Sequence, residues 1–272
     1  MSEFLCLAHM KRLLIPFLLI VFACLFYLSD NNADFKLTTA TIDTSVYSEG
    51  LLNSEINNVE NIADYDIDVV FDLEFKKIDV IQTITWINKT KNPTNELQFH
   101  LYPNAYKSEK TLFAKGYDIS SKDAKTEMHV NYFKINGETS ELIYFQPEIP
   151  NEFDSTVAKV ILDKPVLQGD TVKITFDYSL QIPRSVKRFG YAEGRSFFFI
   201  SQWFPKIGVL EDDGWVCSQY HPYLNFYSNF GRYSVQITVP KNFIVASTGV
   251  EQEKIVDAKF SVYKFIQNGV HD

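Results

Sequence analysis

The chain is poor in the residues that build metal and redox sites. Its 272 residues include only three cysteines, Cys6, Cys24 and Cys217, too far apart for a CxxC zinc clip or a disulfide framework. The five histidines, His9, His100, His129, His221 and His271, are scattered, so there is no HExxH, no His-x-His and no other local metal clip. A GxSxG elbow, a Walker loop and a dinucleotide-binding GxGxxG are also missing, which removes the sequence-local signatures of serine hydrolases, P-loop enzymes and Rossmann enzymes. Positive charge is in deficit. Lys+Arg of 26 against Asp+Glu of 34 leaves a net charge of -8, which repels phosphate backbones and excludes a nucleic-acid partner. No window after residue 30 sustains a 3.6-residue apolar period for four turns, so long amphipathic helices are not expected.

What is abundant is apolar and aromatic. Hydrophobic residues make up 46% of the chain, with 23 Phe and 15 Tyr, enough to bury a core without metals or disulfides. Three regions follow from the pattern. In residues 1–28, Lys11 and Arg12 precede an uncharged run from Leu13 to Leu28, and Asp30 and Asp34 follow it. That asymmetry is the mark of an export signal, with the chain beyond it delivered to the extracytoplasmic side. The run is shorter than the ~20 residues that span a bilayer comfortably. Val21-Phe22-Ala23-Cys24 loosely resembles a bacterial lipobox, although Phe22 is bulky for one. An anchor formed by residues 13–28, a lipid on Cys24 and simple secretion all remain open. Residues 29–63 are polar and Asn-rich, the composition of a tether.

From residue 64 the period becomes two. Tyr65, Ile67, Val69, Phe71, Leu73 and Phe75 alternate with polar positions, which predicts a strand over Asp64–Phe75 with one wet face. Further strands are predicted over Ile78–Asn88, Leu97–Leu101, Val157–Leu162, Thr171–Leu180, Tyr233–Val239, Phe243–Ala246 and Phe260–Ile266. Asn136-Gly137 predicts a hairpin between Tyr132–Ile135 and Glu138–Phe145. Residues 64–272 are therefore expected to form an all-β, saddle-like antiparallel β-sandwich behind the signal or anchor segment.

Chemistry is sparse outside one region. Glu211, Asp212 and Asp213 suggest a solvated turn before a calcium site. Cys217 follows Trp215 and Val216, a setting for a packed thiol. Asn88-Lys89-Thr90 matches a glycosylation sequon, expected to be idle. The alternation breaks over residues 184–232. Arg184, Lys187, Arg188, Arg195 and Arg232 gather there with Phe197, Phe199, Trp203, Trp215, Tyr220, Tyr223 and Tyr227 among many rings. A long loop rich in aromatic and basic groups on a β scaffold is where ligand contacts tend to sit, or else rings that pin the loop to the sheet.

Within this region a resemblance becomes specific. Phe199-Ile200-Ser201-Gln202-Trp203-Phe204-Pro205-Lys206-Ile207-Gly208-Val209, then Asp213-Gly214-Trp215, Tyr220-His221 and Asn229-Phe230-Gly231-Arg232-Tyr233-Ser234-Val235 are similar to the N-terminal domain of the aminopeptidase N family of zinc metallopeptidases, the gluzincins, in its bacterial branch. Leu97-Gln98-Phe99-His100-Leu101-Tyr102-Pro103-Asn104 and Leu167-Gln168-Gly169-Asp170-Thr171-Val172 resemble earlier parts of the same domain in the same order. The resemblance implies a saddle-shaped β domain that packs beside a catalytic domain, its partner, which carries HExxH and the zinc. It also implies that Gln202 binds the free α-amino group of a peptide substrate, a role open to its side-chain carbonyl as an acceptor.

The family's zinc ligands and general base have no counterpart in these 272 residues. The expectation is thus a substrate-side β domain of an exported aminopeptidase-like protein, truncated before the HExxH domain and inactive alone. It has no cofactor of its own, and zinc is implied only for a full-length family member. A freestanding surface module for peptide or glycan is the alternative. A hydrolase with zinc held by His100, His129 or His221 is a third reading.

Overall fold

Alternation of apolar and polar residues sets up each of the long strands. In the computed structural model, which describes residues 60–223 and 226–271, these begin with β1 (Ala63–Asp72), β2 (Lys77–Ile87) and β3 (Thr94–His100). Then follow β4 (Met128–Ile135), β5 (Glu138–Thr139), β6 (Ile143–Tyr144), β7 (Val157–Val166) and β8 (Thr171–Gln181). The aromatic region contributes β9 (Phe189–Tyr191), β10 (Phe198–Ile200), β11 (Lys206–Ile207), β12 (Val209–Glu211) and β13 (Gly214–Val216). The chain continues through β14 (Gly231–Pro240), β15 (Val250–Val256) and β16 (Phe260–Val270). The calls on residues 1–28 and on 29–59 lie outside the described residues. Among the described residues no helix is long and apolar enough to cross a membrane, and the helical pieces are three short 3-10 turns.

The strands form an all-β sandwich. Its larger layer is an eight-stranded sheet in the order β15-β16-β14-β1-β2-β8-β4-β5, and its smaller layer runs β11-β3-β7-β6. Tyr65, Ile67, Val69 and Phe71 of β1 and Val172, Ile174, Phe176, Tyr178 and Leu180 of β8 point inward, each less than a tenth exposed. Phe99 of the smaller sheet meets Phe133 and Phe176 of the larger one edge-on, at 5.7 and 5.3 Å between ring centroids. Each such buried ring contributes about 1.5–3 kcal/mol through area removed from water, and edge-to-face pairing adds to it. These rings hold the two layers together.

Among the described residues every ladder between strands is antiparallel except one. β1 pairs in parallel with β14, from Tyr65 beside Tyr233 to Val70 beside Thr238, which places the C-terminal strands against the first strand of the domain. Entry to that pairing requires a glycine. A Cβ at Gly231 would lie 1.7 Å from the carbonyl oxygen of Ala63, so no other residue fits without moving the β1 backbone. Ile62 donates to Phe230 O at 2.8 Å just upstream, and this pins the first residues of β1 to the aromatic region.

The structure corrects several of the predicted strands, the first of which ends at Asp72 and leaves Phe75 exposed beyond it. Phe243–Ala246 forms no strand; Phe243 instead packs its ring against Phe71 and Phe198, while Ile244 is exposed. Glu138–Phe145 is two short strands that pair with different sheets. β7 continues through Pro165, because β6 pairs only with Ala158 and Lys159 and leaves the far end of β7 an open edge, where a missing N–H costs no ladder bond. Residues 184–232 are not free of strands but hold five short ones. The Asn136-Gly137 hairpin forms as expected, with φ of 51° and 89° at its two turn residues.

Candidate functional site

The region singled out by the sequence folds as a small ribbon leading into a buried stem. In the ribbon, β9 and β10 pair with Phe189 beside Ile200, Gly190 beside Phe199 and Tyr191 beside Phe198. Phe198 turns inward, 4.8 Å from Phe71 and 6.2 Å from Phe243. By strand alternation Phe197 and Phe199 turn outward, and they are 59% and 49% exposed. Gly190, opposite Phe199, is buried: a Cβ there would meet the backbone of Ser185 and the Pro183 carbonyl within 2.6 Å, so the segment 183–185 packs against this face of the ribbon.

At its inner end the ribbon is locked. Ser201 donates both its hydroxyl, at 2.8 Å, and its N–H, at 3.3 Å, to the Arg188 carbonyl. Val186 and Phe189 exchange backbone hydrogen bonds at 3.1 and 3.3 Å, which makes Lys187-Arg188 a two-residue turn. Both chains leave this end through a residue in the left-handed region, Lys187 at φ 59° and Gln202 at φ 54°. For residues with a long side chain that conformation is uncommon and costs roughly 1–2 kcal/mol, so the surroundings must enforce it. For Lys187 they are visible: its ammonium donates to Pro222 O at 2.9 Å and lies 4.6 Å over the Tyr117 ring.

Beyond Gln202 the chain dives into the core. Trp203 packs edge-on against Phe204, and Phe204 against Tyr65 and Tyr233, which stack at 4.6 Å. Gln82 Nε2 donates to Pro205 O at 2.7 Å, and Ile207 N–H donates to the Tyr65 hydroxyl at 3.3 Å. Gln202 itself is half-buried with its side-chain oxygen buried, so engaging a ligand through that oxygen requires rotation about its side-chain torsions.

The remaining sequence candidates separate. His100 is buried at the end of β3, with Nδ1 3.6 Å from Cys217 Sγ. His221 Nε2 lies 2.9 Å from Glu148 Oε2, and His129 sits exposed on β4. The structure does not gather the three histidines, and among the described residues no group of three His, Cys, Asp or Glu side chains is placed to hold a metal ion. Burial pushes the Cys217 thiol far above its ordinary range, with Lys206 pulling it down and Glu148 pushing it up, so it is a packed thiol and no nucleophile. Glu211 closes the β12–β13 hairpin and accepts from the Tyr227 hydroxyl at 2.6 Å, while Asp212 and Asp213 are exposed turn residues. Asn88 is fully buried and its Nδ2 donates to Asn92 O and Val166 O, both at 3.0 Å, which leaves the sequon no accessible acceptor nitrogen.

Two features escaped the sequence reading. Lys206 is fully buried, its ammonium 4.9 Å from the Tyr102 ring and 5.2 Å from the Phe226 ring. A lysine inside the otherwise apolar stretch Trp203–Val209 is the signal that marks it. The strained Lys187-Arg188 turn had no signal, since such turns usually carry Gly or Asn.

No protein-family model matches the chain, and no curated protein matches it by sequence. Among solved structures it is similar to a mutant two-domain M1 zinc metallopeptidase bound to L-arginine, with 14% identity over 77% of this chain and 40% of that one, at a TM-score of 0.45. It is also similar to an M1 zinc metallopeptidase from Deinococcus radiodurans, again with 14% identity, 77% and 40% coverage, at a TM-score of 0.43. A mutant of the Deinococcus radiodurans enzyme bound to a Tyr-Ser-Ala substrate gives 14% identity, 76% and 39% coverage and a TM-score of 0.43. This chain thus spans about 40% of the length of the solved structures it resembles.

Proposed function

We propose that residues 64–272 form the substrate-side β domain of an exported aminopeptidase-like zinc metallopeptidase and that Gln202 receives the free α-amino group of a peptide. The observation that carries this reading is the backbone of Gln202. A residue with a long polar side chain is held at φ 54°, between a ribbon locked by Ser201 and a stem locked by Gln82 and Tyr65. Strain of this kind persists only where surroundings over-determine it, and it collects at ligand-binding positions. The motif around Gln202 is the part of the sequence that most closely resembles the aminopeptidase N family.

In this reading the chain supplies recognition and no hydrolysis. Water activation and oxyanion stabilisation belong to a zinc-bearing catalytic domain, the partner of this one. The leader carries the domain across a membrane, where residues 13–28 or a lipid on Cys24 hold it; the mass of the mature N-terminus distinguishes these from simple secretion.

The test is a titration of the full chain, followed by NMR at the Gln202 side-chain amide. Leucinamide is expected to shift that resonance and N-acetyl-leucinamide to leave it unmoved. With added zinc the chain is expected to turn over no aminoacyl anilide. Equal responses to the two amides, or robust bestatin-sensitive turnover, overturns the reading. A second reading, a freestanding module that holds peptide or glycan, draws on the exposed rings of Phe197, Phe199, Tyr223 and Tyr227; binding of both amides or of oligosaccharides would favour it.

A further inference from the structure

The cations around the ribbon fall into two sets. Arg184 pairs with Asp123 at 3.1 Å, Lys187 is held by Pro222 O and Tyr117, Lys76 lies 4.3 Å over Tyr191, and Arg232 pairs with Asp66 at 3.1 Å. Arg188 and Arg195 differ. Both are exposed, and among the described residues neither has a carboxylate partner, in a chain that carries eight more acidic than basic groups.

Arg188 is also the better presented of the pair. Its backbone is fixed on one side by the strained Lys187 turn and on the other by the double donation from Ser201. Phe197 and Phe199 are exposed on the outward face of the same ribbon, while Gly190 opposite Phe199 is covered by the backbone of Pro183 and Ser185. We propose that this face binds a peptide carboxylate, with Arg188 as the recognising guanidinium and Phe197 and Phe199 as the apolar floor for the adjoining side chain.

A carboxylate suits the geometry because a planar guanidinium on a rigid backbone can offer two parallel N–H donors to its two oxygens. An anionic bilayer is the other partner that exposed rings and arginines could meet. Attraction to such a surface depends on net charge and takes lysine as readily as arginine, and it gives no reason for a strained turn beneath a single arginine. The inference rests on the proposed reading only in taking this ribbon as the peptide-facing side, and it is measured by binding and not by hydrolysis.

Four probes separate the cases, each titrated into the full chain in neutral detergent and followed by NMR and calorimetry. Leu-Leu carries a C-terminal carboxylate, Leu-Glu-amide an acidic side chain, Leu-Leu-amide neither, and N-acetyl-Leu-Glu-amide an acidic side chain without a free amine. One or both of the carboxylate probes should bind about tenfold more tightly than Leu-Leu-amide, the order of magnitude of one charge-assisted pair; which one does so tells a terminal carboxylate from an acidic side chain. Arg188→Gln should abolish that difference and Arg188→Lys should restore only part of it, with thermal unfolding unchanged because the side chain is exposed. Phe199→Ser should weaken every probe that binds.

The proposal is overturned if Leu-Leu-amide binds as well as the acidic probes, if Arg188→Gln keeps the preference, or if no probe binds. It is also overturned if Arg188 governs instead a response to phosphatidylglycerol over phosphatidylcholine micelles. If N-acetyl-Leu-Glu-amide binds as tightly as Leu-Glu-amide, the carboxylate site stands and the amine-binding role of Gln202 falls.

Discussion

Gln82 donates its side-chain N–H to the carbonyl oxygen of Pro205 at 2.7 Å, joining the middle of the large sheet to the stem that follows Gln202. Gln82 occupies an inward position of β2 otherwise filled by Ile78, Val80, Ile84 and Trp86, and it is fully buried. Its own side-chain oxygen has no partner among the described residues. The two facts oppose each other. Gln82→Met orphans the Pro205 carbonyl but also removes a buried, unpartnered oxygen, each worth about 1–3 kcal/mol, so unfolding free energy should change by no more than about 1 kcal/mol. Gln82→Glu brings a carboxylate to that carbonyl with no donor and should cost about 3 kcal/mol or more. Urea denaturation of the two variants checks the contrast; equal losses would mean that the buried carboxylate adds no cost beyond loss of the bond to Pro205.

Asn88 gives a second contrast. Both hydrogens of its amide are used, and its oxygen accepts from Thr90 N–H at 3.0 Å and Thr90 hydroxyl at 2.8 Å. Produced in a secretory eukaryotic host, the chain should carry no glycan at Asn88, as intact mass will show. Asn88→Asp exchanges two donors for charge beside two carbonyl oxygens and should destabilise by about 3–5 kcal/mol, whereas the exposed Lys89→Ala should stay within about 0.5 kcal/mol.

Such contacts explain where the sequence was readable. β1, β2 and β8 were legible because each keeps one apolar face against the core, so the period of two is written directly in the residues. β15 was not, because Val250–Val256 is exposed on both faces and is held by its backbone ladder to β16, which leaves no trace in residue type. Phe243 misled for the opposite reason: its half-buried ring packs against the core from a loop. The parallel pairing of β1 with β14 joins strands far apart in the sequence, and only Gly231 hints at it. At the candidate site, motif resemblance located Gln202, but the left-handed backbone of Lys187 and Gln202 depends on contacts from Tyr117, Pro222 and Ser201 that no local pattern encodes.

That backbone separates stability from function. Glycine enters the left-handed region without the Cβ penalty, so Gln202→Gly should recover about 1 kcal/mol of strain, offset in part by the greater freedom of glycine in the unfolded chain. Thermal unfolding should therefore stay level or rise slightly, while the response to leucinamide is lost. Gln202→Ala keeps the strain and loses the amide, so it should bind no better and unfold slightly earlier. A Gln202→Gly chain that unfolds markedly earlier would show that the conformation is unstrained and would remove the observation on which the proposed function rests.

Acidity tests the loop that carries His221. Burial alone would raise the Glu148 carboxyl, but donation from His221, Ser218 and the Gln219 N–H outweighs it and holds the group below its ordinary value. A carboxyl depressed in the folded state stabilises fully above its unfolded value near 4.5 and loses that contribution as pH falls through the folded value. The melting temperature should thus drop below about pH 4.5, and Glu148→Gln should flatten part of the drop while lowering stability at neutral pH. Because the pair is partly exposed, the neutral-pH loss should be under about 1 kcal/mol and shrink in high salt. Gln219 supplies the internal control. Its side-chain oxygen accepts from Ile149 N–H at 2.8 Å independently of the carboxylate, so Gln219→Leu should destabilise equally at pH 4 and pH 7. If Glu148→Gln and Gln219→Leu show the same pH profile in thermal melts, the carboxylate is not the group that titrates.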